Sequence, residues 1–75
     1  MVKDESIKLL DVVALTEDVP AEKLRRGEVG TVVEVFQSGV FEVEFADEDG
    51  QTYAMVPLRK EQLMVLHYKP ARAAG

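Results

Sequence analysis

Side chains that carry out covalent or acid–base chemistry are scarce in this sequence. Its 75 residues include two serines, Ser6 and Ser38, one histidine, His67, and no cysteine. Ser6 lies in a polar N-terminal stretch, Ser38 in a turn-like segment and His67 near the C-terminus, so no catalytic triad can be argued from their positions. The lack of cysteine removes thiolate nucleophiles, thiolate metal sites and disulfides. We therefore expect a protein that is not an enzyme and uses no cofactor.

Two groups of charged residues remain as candidates for binding an ion or a partner. The segment DEDG, residues 47–50, supplies three carboxylates, but it lacks the spacing and the terminal glutamate of a calcium-binding loop, so no metal site is predicted. Arg25 and Arg26 precede a glycine and could grip a carboxylate or a phosphate. Alternatively, they form a solvated basic pair that balances Glu22 and Glu28. The sequence leaves both interpretations open.

The charge balance limits the kind of partner. Fourteen acidic against nine basic residues give a formal charge of −5 and a pI near 4.7. Nucleic-acid affinity comes chiefly from clustered Lys and Arg that displace counterions, so this balance disfavours generic DNA or RNA binding. No apolar run approaches the roughly 20 residues that span a bilayer, and the first residues lack the apolar region of a signal peptide. We expect a cytoplasmic protein with no membrane contact.

Alternating apolar and polar residues between turn signals predict an all-β fold. Strands are expected at about residues 11–16, 28–36, 40–46 and 51–56, with a short fifth strand within residues 63–67. The loops QSG and DEDG end in glycine and predict two tight hairpins. Pro57 is expected to end strand four, and a single 3₁₀ turn is expected before strand five.

These elements together predict a small five-stranded SH3-like barrel. The barrel is expected over residues 7–67 as the one domain, with flexible ends at residues 1–6 and 68–75. The long first loop contains VPAEKL, which suits one turn of helix or 3₁₀ helix, and Leu24 is expected to pin this loop to the core.

The hairpin loops set an expected register and therefore two faces. Val33 should pair with Val43, and Phe41 with Val56. The expected core face consists of Val33, Val35, Phe41, Val43, Phe45, Ala54 and Val56. The expected opposite face consists of Val32, Glu34, Phe36, Val40, Glu42, Glu44, Tyr53 and Met55. Glu34 then falls opposite Glu42, a like-charge pair that costs stability.

That mixed acidic and apolar face has two interpretations. It could be the contact surface for a basic protein partner, with aromatic and methionine anchors. Alternatively, strands two and three bend and serve both halves of the barrel, so that Val32, Phe36 and Val40 belong to the core and the glutamates are ordinary solvated groups. Burial of Val32, Phe36, Val40 and Met55 would decide between the two.

The runs LLDVVALTEDVPAEKLRRGEVGTVVEV and FEVEFADEDGQTYAMVPLRKEQL resemble a family of small bacterial proteins described as a domain of unknown function, of the DUF4926 type, with an SH3-like fold. The resemblance covers about residues 7–66. It implies the fold and carries no established activity with it.

Two shorter resemblances imply other functions. RRGEVGTVVEV is similar to a KOW-type element, which implies contact with RNA or the transcription machinery. The order of the strands is also similar to that of the small barrel proteins of photosynthetic electron-transfer complexes, whose ferredoxin-docking faces are basic. Here only Arg25, Arg26, Arg59 and Lys60 could supply such a face.

The sequence thus predicts a non-enzymatic SH3-like protein-binding module, for example an inhibitor or adaptor of a basic protein encoded by an adjacent gene. The expected partner-binding residues are Glu34, Phe36, Glu42, Glu44, Tyr53, Met55, Arg25 and Arg26. One alternative is a homodimeric assembly domain that associates through a strand edge or a swapped strand. The other is the KOW-like module.

Overall fold

The computed structural model describes residues 6–67 of the chain. Its strands are Val12–Leu15 (β1), Val29–Phe36 (β2), Val40–Ala46 (β3), Thr52–Arg59 (β4) and Leu63–Val65 (β5). In the same range, 3₁₀ turns occupy Pro20–Glu22, Gln37–Gly39 and Lys60–Gln62. The flexible ends predicted at residues 1–6 and 68–75 lie, apart from Ser6, outside the described residues.

All strand pairs are antiparallel. β1 to β4 are neighbours in chain order and β5 returns to β1, which gives the order β4-β3-β2-β1-β5. The all-β prediction of five strands with a 3₁₀ turn before the last one is confirmed. The sheet is not closed, because β4 and β5 form its two edges and do not pair with each other. Among the described residues, no helix is long enough to cross a membrane.

The hydrophobic core lies on one side of the sheet, and we call the opposite side the outer face. The core cluster takes residues from every strand and from the segments before and after β1, namely Ile7, Val13, Leu15, Leu24, Val32, Phe41, Val43, Phe45, Val56, Leu58 and Leu63. Leu24 is only 3% exposed, so the prediction that it pins the long loop is confirmed. The predicted turn in that loop is the 3₁₀ turn Pro20–Glu22.

A β-bulge in β2 changes the expected register. Val32 pairs with Val43 and Glu34 pairs with Glu42, which leaves Val33 as the extra residue. The predicted pairing of Val33 with Val43 is therefore wrong, because a bulge sets two residues of one strand against one of its partner. Val32, expected on the outer face, is fully buried, and Val35, expected in the core, is 48% exposed.

The register between β3 and β4 is shifted by two residues from the expected one. Val43 pairs with Val56, and Phe41 pairs with Leu58. A shift of two preserves the faces, since side chains alternate with a period of two along a strand. The expected core residues Phe41, Val43 and Val56 are accordingly buried.

Pro57 does not end β4 as expected. It pairs with Glu42 inside the strand, and β4 continues to Arg59. Proline is tolerated in an edge strand when its nitrogen points away from the ladder, because no hydrogen bond to the neighbour is then lost. β4 is such an edge, so Leu58 can follow Pro57 in the strand and enter the core.

Gly30 lets β2 and β3 come close together. A Cβ atom at this position would lie 2.7 Å from Cγ1 of Val43 and 2.8 Å from the backbone oxygen of Glu44. Both distances are shorter than van der Waals contact, so only glycine fits without a shift. Glycine inside a strand often marks such a close approach of two backbones.

Candidate functional site

The carboxylates of the predicted contact face lie together on the outer face. Glu34 of β2 and Glu42 of β3 are direct cross-strand partners, and Glu44 is two residues along β3 on the same side. Among residues 6–67, neither Glu34 nor Glu42 forms a hydrogen bond or an ion pair through its carboxylate. Glu44 accepts a hydrogen bond from the hydroxyl group of Thr52. Two adjacent negative charges are therefore left to solvent or to a partner.

Large apolar side chains border these carboxylates. Met55 lies opposite Glu44 and is 50% exposed, while Phe36 lies at the end of β2 and is 42% exposed. Val40, the cross-strand partner of Phe36, is half-buried. We call the set Glu34, Phe36, Glu42, Glu44 and Met55 the acidic half of the outer face. The structure thus brings five of the predicted partner-binding residues together.

Tyr53, the sixth predicted residue on this face, has a different environment. It occupies a β-bulge between Thr52 and Ala54, and its ring packs against the core ring of Phe45 at a centroid distance of 6.3 Å. Its hydroxyl group donates a 2.9 Å hydrogen bond to Glu28, just before β2. Tyr53 is therefore held at the start of β2, away from the Glu34–Glu42 pair at the other end of that strand.

The surroundings of Tyr53 raise the pKa of its phenol. Partial burial raises its pKa above the ordinary value of 10.0, and the hydrogen bond to Glu28 raises the pKa further. The negative charges of Glu28 and Asp47 act in the same direction. The phenol therefore stays protonated and keeps donating to Glu28 throughout the neutral range.

The two arginines before β2 differ in their partners. The Nε atom of Arg25 lies 3.9 Å from a carboxylate oxygen of Glu28, but the Arg25 side chain is 86% exposed and the pair contributes little stability. Arg26 donates its backbone N–H to Asp18, at 2.8 Å. Within residues 6–67 the guanidinium of Arg26 has no ion pair or hydrogen bond. Its charge is available to a partner, whereas the proposed balance with Glu22 does not form.

Arg26 borders a second part of the outer face that the sequence did not reveal. Ala14 of β1 lies between Val29 of β2 and Met64 of β5. Arg26, Ala14 and Met64 line a shallow groove of about 430 Å³. Val29 is 44% exposed and Met64 is 54% exposed. We call Val12, Ala14, Val29 and Met64 the apolar half of the outer face. Only the pairing of β5 with β1, a long-range contact, brings these side chains together.

A larger open groove of about 650 Å³ lies beside the β5 edge. Ser6, Asp11 and His67 all line it, together with apolar side chains of β5. Within the described range, no hydrogen bond joins His67 to Ser6 or Asp11, and the Asp11 carboxylate accepts the backbone N–H of Lys8 instead. Among residues 6–67, these side chains therefore do not form a hydrogen-bonded pair of nucleophile and base.

The carboxylates of the DEDG segment serve the turn itself. The Oδ1 atom of Asp47 accepts the backbone N–H groups of Asp49 and Gln51, at 2.9 and 3.0 Å. This is the local hydrogen bonding by which aspartate stabilises turns. In residues 6–67, no three His, Cys, Asp or Glu side chains are grouped so as to hold a metal ion.

The comparisons with known proteins point to a single family. Neither the curated proteins nor the solved structures include a match to this chain. The family model described as "Domain of unknown function (DUF4926)" matches residues 9–65, which include all five strands. The chain therefore belongs to the DUF4926 family.

Proposed function

We propose that this protein is a non-enzymatic protein-binding module and that the acidic half of its outer face contacts a basic partner. The proposal depends on one observation above all, the direct pairing of Glu34 with Glu42 without a cation from residues 6–67. Like charges directly opposite each other in a sheet are destabilising, so the fold gains nothing from them. A cationic group on a partner would turn this cost into an attraction.

The apolar neighbours support a protein as the partner. Phe36 and Met55 stay 42% and 50% exposed on either side of the carboxylates. Aromatic and methionine side chains are enriched at protein–protein contact surfaces, where they supply affinity, while charges around them supply selectivity. The net charge of −5 would also speed encounter with a basic protein. An inhibitor or adaptor of a basic protein encoded by an adjacent gene is one form of this proposal, and the lack of cysteine favours a cytoplasmic setting.

A capture experiment with matched charge variants tests the proposal. Immobilised protein is incubated with lysate of the native host, the captured proteins are identified, and binding is then measured with the purified candidate. We expect Glu42→Lys to abolish capture and Glu48→Lys, which makes the same charge change in the exposed turn, to retain it. Affinity should also fall as the salt concentration rises.

Two results would contradict this function. One is that no protein is captured by the wild type under any salt condition. The other is that Glu42→Lys and Glu48→Lys behave alike, which would mean that the acidic half makes no specific contact.

A further inference from the structure

The turn that precedes β1 presents two leucines to solvent. The chain turns from Lys8 to Asp11, where the N–H of Asp11 donates a 3.0 Å hydrogen bond to the carbonyl oxygen of Lys8. Leu9 and Leu10 occupy the two central positions of this turn and are 54% and 69% exposed. Neither leucine belongs to the hydrophobic core cluster. The turn therefore leaves two large apolar side chains outside the core.

The backbone conformation of Leu10 is one that leucine rarely adopts. Its φ is +73°, and Leu9 before it has no positive φ. A four-residue turn in which only the third residue has a positive φ is typical of type II, which favours glycine or asparagine at that position. Strained conformations of this kind cluster at binding and active sites. The fold would be more stable with asparagine at position 10, so folding alone does not explain the leucine.

The backbone of the turn is fixed before any partner binds. The N–H of Leu10 donates a 2.7 Å hydrogen bond to the carbonyl oxygen of Val32 in β2, and Val32 is fully buried. The N–H of Lys8 donates a 2.8 Å hydrogen bond to the carboxylate of Asp11. A segment that is already held in one conformation loses little conformational entropy when it binds. The turn is therefore suited to placing its leucines in a pocket of a partner.

Leu10 lies close to the acidic half of the outer face. Val32, to which it is hydrogen-bonded, is two residues before Glu34 on β2. At about 3.3 Å per strand residue, the backbone of Leu10 is roughly 10 Å from that of Glu34. A contact surface of standard size covers about 800 Å² on each partner, which is a patch roughly 30 Å across. One partner can therefore contact both Leu10 and Glu34.

The charges near the turn favour a basic partner. The first and last residues of the turn carry opposite charges. Next to them on β2 comes Glu34, with Glu42 as its cross-strand partner. Arg59 lies on β4, on the far side of Glu42, and its Nε atom is 3.7 Å from a carboxylate oxygen of Glu61. Charge complementarity therefore selects a partner that carries a cationic group beside its apolar pocket.

We propose that Leu9 and Leu10 insert into an apolar pocket of the basic partner, next to the cationic group that meets Glu34 and Glu42. This inference rests on the proposed function, to which it adds a second contact and the kind of surface that the partner must present. A lipid surface fits less well, because a chain with a charge of −5 is repelled by anionic headgroups.

Substitution of Leu10 should change stability and binding in opposite directions. Leu10→Asn relieves the strain and should raise Tm by about 4 °C. The same variant removes an apolar anchor and should weaken binding of the purified protein captured as described above about tenfold. Leu9→Ser should weaken binding by a similar factor without the rise in Tm. Circular dichroism verifies that the variants are folded.

Lys23 provides the matched control. It is exposed and has a φ of +60°, so Lys23→Asn should raise Tm about as much as Leu10→Asn does. It should not weaken binding, because the loss of a positive charge does not oppose a basic partner.

Three results would overturn the inference. One is that Leu10→Asn binds like the wild type while Glu42→Lys abolishes binding, which leaves the proposed function intact. Another is that Leu10→Asn lowers Tm, which would show that the leucine serves the fold. The third is that wild type, but not Leu10→Asn, floats with phosphatidylcholine vesicles, which would assign the leucines to a membrane. A partner that is weakened by Leu10→Asn but not by Glu42→Lys would support the leucine contact and overturn the proposed function, whereas capture of no protein would end both.

Discussion

At the scale of single residues, the Glu34–Glu42 pair lowers the stability of the fold but leaves two carboxylates available for binding. The two carboxylates are cross-strand partners on β2 and β3, two inner strands of a sheet whose other face is the core. A residue pair suited to stability would combine opposite charges or β-branched side chains at such positions. The structure therefore lets the cost of the pair be measured independently of any partner.

Neutralising one carboxylate should stabilise the fold. We expect Glu42→Gln to raise the free energy of unfolding by about 0.2–1 kcal/mol at low salt, because the repulsion with Glu34 is removed. The gain should shrink at about 1 M salt, where exposed charges are screened. Urea unfolding of both proteins measures it, with Glu48→Gln in the turn as control. A loss of stability in Glu42→Gln would show that the carboxylate has a favourable contact in the fold.

Ionisation of Tyr53 should make the stability of the fold depend on pH in the alkaline range. Its pKa is raised in the folded protein by partial burial and by Glu28, so the folded state holds the phenolic proton more tightly than the unfolded state. The contribution of Tyr53 is fully present below pH 10.0, its ordinary pKa, and is lost as the pH rises through the folded-state pKa.

Ultraviolet absorbance of tyrosinate measures this pKa directly. The sequence contains two tyrosines, so the titration is carried out in a Tyr68→Phe background. We expect Tyr53 to titrate above 10.0, and Glu28→Gln to bring its pKa down towards that value. A Tyr53 pKa that does not respond to Glu28→Gln would mean that the 2.9 Å hydrogen bond is absent in solution.

At the scale of elements, how much the sequence predicts depends on how local the determinants are. β3 alternates apolar and acidic residues through FEVEF, and this pattern predicts its faces because it fits only one orientation. β2 contains Val32 and Val33 in succession, so either could face the core, and the bulge that selects Val32 depends on packing against β3. The tolerance of Pro57 depends on β4 being an edge, which is a property of the whole sheet and has no local signal.

The candidate site also has parts that local sequence predicts and parts that depend on the whole sheet. The carboxylates of the acidic half belong to one hairpin, β2–β3, so sequence alternation is enough to place Glu34 opposite Glu42. The residues of the apolar half come from β1, β2 and β5, and no local sequence pattern predicts which strand pairs with β1 on its other side. Tyr53 departs from its expected place beside the carboxylates because a second bulge, next to the DEDG turn, redirects its side chain.

The close contact between β2 and β3 makes Gly30 sensitive to any added side chain. Gly30→Ala would set a methyl group 2.7 Å from the Val43 side chain and 2.8 Å from a backbone oxygen, which cannot move aside. Overpacking of this kind costs about 1–3 kcal/mol. Thermal unfolding measures the loss, which corresponds to roughly 4–8 °C in Tm per kcal/mol for a domain of this size.

A second glycine provides the matched control for this prediction. Gly50 has a φ of +82°, and a Cβ atom added there would have no neighbour within 4 Å. Gly50→Asn should therefore change stability little, because asparagine tolerates positive φ. If Gly30→Ala and Gly50→Asn both unfold at the wild-type temperature, β2 and β3 are further apart than the structure shows.

At the scale of the whole molecule, all five strands contribute to one hydrophobic cluster. A chain of this size buries only about 60% of the surface that its unfolded form exposes, so no part of the sheet has a core of its own. The two edge strands depend on the same central residues, since Val56 of β4 and Leu63 of β5 both pack into the cluster that contains Phe45. The fold should therefore unfold in a single cooperative step.

Truncation at opposite edges of the sheet tests this cooperativity. Val56→Ala in β4 and Val65→Ala in β5 each remove methyl groups packed on the cluster, and each should cost about 1–3 kcal/mol. Because the cluster is shared, far-ultraviolet circular dichroism and Tyr53 fluorescence, again in the Tyr68→Phe background, should report the same lowered midpoint in both variants. If Val65→Ala shifts only one probe, β5 can detach while β1 to β4 stay folded. The outer face would then lose Met64 before the fold is lost, and its apolar half could no longer serve as a fixed contact surface.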